Sequence, residues 1–295
     1  MKTYFSSFQF RSYITYTFNQ NIALSMKNLL LILLCSLKVY GAFETSSQDP
    51  FTGGLSNSVT VSENYYSTFL LNPAVTAQMK SINLGLIYFK PYSISELNTA
   101  SIMSNFSIKN YGAGLSISAF GNSIYQENQL TLNLSRSFFT EKFCFGLNFS
   151  FYHIKIDDYP NLSTYGIDLG IIYNVNDYLQ TGFAIKNINQ PILSDNTEEL
   201  PLITRWGAAF KLEERINAYI SIEKDSWFAP CLSFGFEFQT GDMLSIQSGY
   251  RTYPSVPSIG FILRKNWINF HYGFQYHFEL GATHLWGITF SRIKQ

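Results

Sequence analysis

Phe143-Cys144-Phe145-Gly146-Leu147-Asn148-Phe149-Ser150-Phe151 decides how the rest of the chain is read. Every odd position is large and apolar, and every even one is small or polar. Successive side chains of a β-strand point to opposite faces, so this stretch predicts a strand with one greasy and one wet face. Leu232-Ser233-Phe234-Gly235-Phe236-Glu237-Phe238 repeats the pattern. A greasy face built of phenylalanines predicts a wall between lipid and water.

The bulk composition agrees. Of 295 residues, 17% are aromatic and only 14% charged, against about 25% charged in ordinary globular proteins. A helix that crosses a bilayer needs roughly 20 apolar residues; the longest apolar run, Leu29 to Leu34, is far shorter. Low charge, many Tyr and Phe and no transmembrane helix predict an all-β fold, a transmembrane antiparallel β-barrel of the outer membrane. The net charge is zero, and nothing is basic enough to suggest a nucleic-acid surface.

Met26-Lys27-Asn28 followed by Leu29–Leu34 reads as a secretory signal peptide, with cleavage near Gly41 or Ala42 and translation starting at Met26. Residues 1–42 are therefore expected to be leader. Leu33-Leu34-Cys35 lacks the small residue a lipoprotein cleavage site wants. Cys144 and Cys231 remain, too few for a disulfide framework, and both read as small wall residues.

Residues 43–80 differ from the rest. Ser46, Ser47, Gly53, Gly54, Ser56, Asn57 and Ser58 make a loop-like start, and Glu63 to Leu71 is expected to form a short helix or extended plug. Asn72-Pro73 breaks it, because a residue before proline avoids helical geometry. This segment is expected inside or under a barrel of residues 81–295.

About 14 strands are expected there, at 81–90, 99–107, 110–121, 127–138, 142–155, 163–174, 178–187, 201–211, 215–223, 231–239, 242–250, 257–264, 267–277 and 283–291. Tight links such as Lys109-Asn110, Asn176-Asp177 and Lys265-Asn266 alternate with longer ones such as 90–98, 157–162 and 187–200. Transmembrane barrels have this asymmetry, with short periplasmic turns and longer outer loops, so both barrel ends are placed in the periplasm. Trp286, Ile288 and Phe290 share one face of the last strand, with Ser291 to Gln295 expected to trail beyond it.

Asn72-Pro73-Ala74 ahead of these strands resembles the N-terminal region of outer-membrane proteins similar to the long-chain fatty-acid transporters. Within that group, Gly182-Phe183-Ala184-Ile185-Lys186-Asn187-Ile188-Asn189-Gln190-Pro191, Leu200-Pro201 and Tyr276 to His284 resemble the PorV/PorQ type of Bacteroidetes. Asp49-Pro50-Phe51, with the Asn-Pro-Ala, also resembles PorP/SprF-like proteins. The resemblance implies a barrel with an N-terminal plug. It also implies either passage of a hydrophobic small molecule or service to type IX secretion, with secretion-machinery or exported proteins as partners beside outer-membrane lipid.

Catalytic and metal signatures are weak. His153, His271, His277 and His284 lack His-x-x-x-His spacing. His271 and His277 share a face but lie too far apart, at about 3.3 Å per residue, to hold one ion. No Gly-x-Ser-x-Gly elbow appears. Asp157-Asp158 and Asp195 with Glu198-Glu199 read as solvated outer loops rather than calcium sites. No enzyme, cofactor or metal site is expected. An embedded lipid-modifying enzyme, which would need Ser and His side by side on the wall, and a purely structural anchor are the alternatives. Asp168, Lys186, Arg205 and Glu237, with Asn133, Asn148, Ser116, Ser118 and Gln275, hold the wet parity and are expected in the lumen, because charge on the lipid face is costly. There they would pair and fill the lumen, or form a polar constriction along a path. Tyr88, Trp206, Trp267, Tyr272 and Trp286 are expected as interfacial girdle residues.

Overall fold

The computed structural model describes residues 42–43, 49–62, 65–193 and 199–293. The expected signal peptide, Asp195 and Glu198 lie outside these residues. Fourteen strands follow one another: β1 (Ser81–Lys90), β2 (Asn98–Ile108), β3 (Tyr111–Gly121), β4 (Tyr125–Phe138), β5 (Phe143–Ile156), β6 (Leu162–Asn176) and β7 (Leu179–Lys186) make the first half. The second half is β8 (Ile203–Glu213), β9 (Ile216–Asp225), β10 (Cys231–Thr240), β11 (Leu244–Arg251), β12 (Val256–Lys265), β13 (Ile268–His277) and β14 (Gly281–Ile293). Each pairs antiparallel with its chain neighbours, and β1 closes on β14 from Ser81↔Ile293 to Lys90↔His284. Closure removes every sheet edge, the condition for backbone to cross lipid with its polar groups satisfied. The boundaries match the expected ones to within a few residues. The last strand runs longer than expected: Ser291 and Arg292 still pair with Asn83 and Ile82, so they do not trail free.

The turns at 109–110, 177–178, 214–215 and 266–267 are tight and lie at the end where β1 starts and β14 stops. Lys109, Asn266 and Gly241 take left-handed backbone in such turns, as hairpins with right-twisted strands require. The opposite end carries 91–97, 157–161 and 187–202, but its links at 122–124 and 278–280 are also short. By the usual asymmetry the first end is periplasmic.

Face alternation holds along the wall. Phe145, Leu147, Phe149 and Phe151 project outward, while Cys144, Asn148 and Ser150 are buried inside. The outward set across the barrel includes Leu84, Leu132, Ile171, Phe236, Ile259 and Trp286.

Inside the barrel lie residues 49–62 and 65–79. A single helical turn, α1 (Pro50–Gly53), is capped by Asp49, whose carboxylate accepts from Phe51 N at 2.6 Å and Thr52 N at 3.0 Å. Short 3-10 helices cover Tyr66–Leu70 and Pro73–Gln78. Asn72 stops the first and starts the second, its Oδ1 accepting from Ala74 N at 3.1 Å. The described part of 63–71 forms a 3-10 turn rather than an α-helix, and its polar Ser67 and Thr68 are as buried as Tyr65, Tyr66, Phe69 and Leu70. These side chains with Phe51, Leu55 and Val61 form the main apolar core, and it sits within the lumen. A smaller core of Phe43, Tyr152, Ile154, Leu193 and Leu200 lies nearer the outer end.

Candidate functional site

The site is the contact between the inner wall and residues 49–62 and 65–79. A segment with so little regular structure leaves carbonyls that its own backbone does not satisfy, and buried carbonyls need donors. The wall supplies them from side chains. Asn105 Nδ2 donates to Tyr66 O at 2.6 Å, Asn148 Nδ2 to Phe69 O at 2.9 Å and Asn133 Nδ2 to Pro73 O at 2.9 Å. Ser107 donates to Met79 O. Across the lumen Gln247 donates to Phe51 O at 3.1 Å, Gln275 to Gly53 O at 3.1 Å, Ser258 to Gly54 O at 3.0 Å and Arg205 to Asn57 O at 2.8 Å.

The asparagines form one rung. Ser291, Asn83, Asn105, Gly114, Asn133, Asn148 and Asp168 are opposite one another in successive strand pairs from β14 through β1 to β6. Neighbouring amides link along it: Asn83 to Asn105 at 2.9 Å, Asn133 to Asn148 at 2.7 Å and Asn148 to Asp168 at 3.2 Å. The carboxylate that ends the rung also accepts from Asn187 N at 2.9 Å.

Inward glycines let the segment lie against the wall. Gly146 and Gly170 are a cross-strand pair, as are Gly182 and Gly207, Gly235 and Gly249, and Gly260 and Gly273. A Cβ on Gly146 would run into the backbone of Pro73 and Ala74, one on Gly170 into Asn72 and Pro73, and one on Gly249 into the backbone of Leu55. The inward positions that look merely small in sequence are thus the seats of the inner segment.

Of the four charged wall residues singled out in sequence, Asp168, Lys186 and Arg205 lie close enough to interact, and Glu237 lies apart. Asp168 is on the asparagine rung. Lys186 is half-buried at the outer end of β7. Arg205 pairs with Glu223, which also meets Arg251 at 3.6 Å. Glu237, fully buried, lies toward the periplasmic turns and pairs with Arg264 at 3.4 Å, with Tyr219 Oη and Asn217 Nδ2 at 3.4 and 3.3 Å. Asn72, Pro73 and Ala74 are fully buried against Gly146, Gly170 and Gly182. Sequence reasoning did not single out Asn83, Asn105, Gln247, Glu223, Arg251 or Arg264. Their wet parity was a usable signal; their partners across the lumen were not.

The histidines are dispersed. His271 packs against Phe51 with centroids 3.6 Å apart and the rings tilted by 55°. His277 accepts from Glu279 N and Leu280 N at 3.2 Å, and His284 meets Tyr272 Oη at 2.8 Å. His153 Nδ1 and Ser163 Oγ do stand 2.8 Å apart as a cross-strand pair on the outer wall. Among the described residues the imidazole has the Ser163 hydroxyl and the stacked ring of Phe151, 6.5 Å away, as neighbours, and Asn128, next in register, is not hydrogen-bonded to it. A nucleophile–base pair without an orienting third group falls short of the triad arrangement.

A closed 14-strand wall, greasy outside and polar within, defines a β-barrel protein of the outer membrane. The chain belongs to the PorP/SprF family: the model for "Type IX secretion system membrane protein PorP/SprF" matches residues 55–291. Of the two type IX resemblances in the sequence, this is the one that the family match supports. No curated protein matches the chain. Among solved structures, a deltaS2 mutant of the TodX monoaromatic hydrocarbon channel shares 11% identity at a TM-score of 0.64, covering 86% of this chain and 100% of its own. The Pseudomonas putida toluene transporter TodX shares 10% identity at 0.58, covering 82% of this chain and 98% of its own. A Pseudomonas aeruginosa FadL homologue shares 11% identity at 0.56, covering 83% of this chain and 95% of its own. At such identities the likeness is one of fold.

Proposed function

We propose that this barrel serves type IX secretion as a plugged docking element, with no covalent chemistry and no standing pore. The observation that carries this reading is the set of wall donors spent on the carbonyls of residues 51–79. Opening a path means breaking these bonds together and exposing the apolar core of the segment, a cost too high for spontaneous fluctuation. Partners then meet the protein at its ends. The stretches that resemble PorV/PorQ proteins flank the outer links 187–202 and 278–280, where Ile192, Phe278 and Leu280 are exposed. Exported proteins, or other components of the machinery, would dock there.

The test combines two measurements on the full chain. In planar bilayers the protein is expected to show no steady conductance; a stable open channel would overturn the plugged reading. In cells, a photo-crosslinking residue at Phe278 is expected to trap a secretion component or an exported protein. Selective uptake of a hydrophobic small molecule, with no protein crosslink, would favour solute passage instead.

A further inference from the structure

The outer wall has a feature that neither the plug nor the docking loops use. An apolar groove of about 630 Å³ runs over β2 to β6 near their periplasmic ends, within the size range of small-molecule sites. Two outward rows line it. The upper row reads Phe106–Ala113–Leu134–Leu147–Leu169 across five paired strands. Its dent is Ala113, a methyl group between two large neighbours. The lower row reads Ile108–Tyr111–Arg136–Phe145–Ile171 in the same way.

Arg136 is anomalous there. It sits in an otherwise apolar row on the lipid face, two residues before β4 ends. It has no carboxylate partner among the described residues and is flanked only by the rings of Tyr111 and Phe138, at 4.9 and 4.8 Å. Lys142 adds a second cation one turn away, over the ring of Tyr173 at 5.9 Å. Glu141 is the acid of that turn. A bare guanidinium on a lipid-facing wall is tolerated near the interface, and its planar fork matches a phosphate. The periplasmic rim is also where the inner leaflet places its phosphates.

We propose that this groove is a binding site for one glycerophospholipid of the inner leaflet. The phosphate lies on Arg136, assisted by Lys142, and an acyl chain fills the dent over Ala113. The cations set the headgroup and the apolar rows set the chain, so either part can be removed separately.

The test uses the full-length protein in detergent, titrated with dioleoylphosphatidylglycerol and read by native mass spectrometry. Dioleoylglycerol, which has the chains without the phosphate, is the control. Wild type is expected to retain one phospholipid and to discriminate against dioleoylglycerol. Arg136→Gln is expected to weaken retention by about fivefold, with Arg136→Lys partly restoring it. Ala113→Phe, which fills the dent without touching a charge, is expected to displace the lipid while the barrel keeps its heat-modifiable mobility on gels. Equal retention by wild type, Arg136→Gln and Ala113→Phe would overturn the proposal and reduce the groove to ordinary annular surface. So would equal retention of the two lipids.

Discussion

The two faces of β5 differ in what they demand of a residue. Outward, Phe149 and Phe151 meet lipid, a fluid that accepts any apolar shape. Inward, Gly146 and Asn148 meet fixed partners, the backbone of Pro73-Ala74 and the carbonyl of Phe69. The outer face asks for a class of residue; the inner face asks for one particular residue. The same contrast holds around the barrel, from Gly85 under the ring of Tyr66 to Gly249 under Leu55.

Gly146→Leu should break this contrast hardest. It drives a side chain into backbone that cannot move aside, and a loss of about 3 kcal/mol is expected, read as protease cleavage within residues 49–79. Unchanged protection would mean that the segment is not seated as described. Arg205→Ala follows, with about 2–3 kcal/mol lost to denaturant because Glu223 loses its closest counter-charge and Asn57 its donor. Asn148→Ala unlinks Asn133, Asp168 and Phe69 together, and about 1–2 kcal/mol is expected.

Asp49 gives a smaller, pH-dependent effect. Burial raises its carboxyl above the usual 3.8, while hydrogen bonds from Thr52 pull the other way. The contribution of a group raised on folding is complete below its unfolded pKa and is lost as pH rises through the folded one. Thermal midpoints in detergent should therefore fall from about pH 4 upward, and Asp49→Asn, which keeps an oxygen for the cap, should flatten that fall. A steeper slope in the variant would contradict the assignment. Leu147→Phe sharpens the comparison from the other side: one residue from Gly146, it is expected to stay within about 0.5 kcal/mol of wild type.

Strand positions were legible because the pleat has a fixed period, and a lipid-facing wall keeps that period for the full length of each strand. Asp168 and Glu237 could be placed inside by the same parity. What they touch could not. Asp168 is joined to Asn148 and Asn187, and Glu237 to Arg264, through strand register and lumen packing rather than through nearness in sequence. Glu63 to Leu71 was harder still. Its polar and apolar residues alternate at helical spacing, but Ser67 and Thr68 are as buried as Phe69, and the 3-10 turn at Tyr66–Leu70 is set by the wall around it.

By itself the sequence determined an alternating wall with one face for lipid, because face alternation is a local property that each strand carries alone. Only the tertiary structure decided what the inner face is for. The alternating glycines and asparagines become seats and donors only when residues 49–62 and 65–79 are laid against them, since a hydrogen bond to the carbonyl of Tyr66, Phe69 or Pro73 depends on where a distant segment comes to rest.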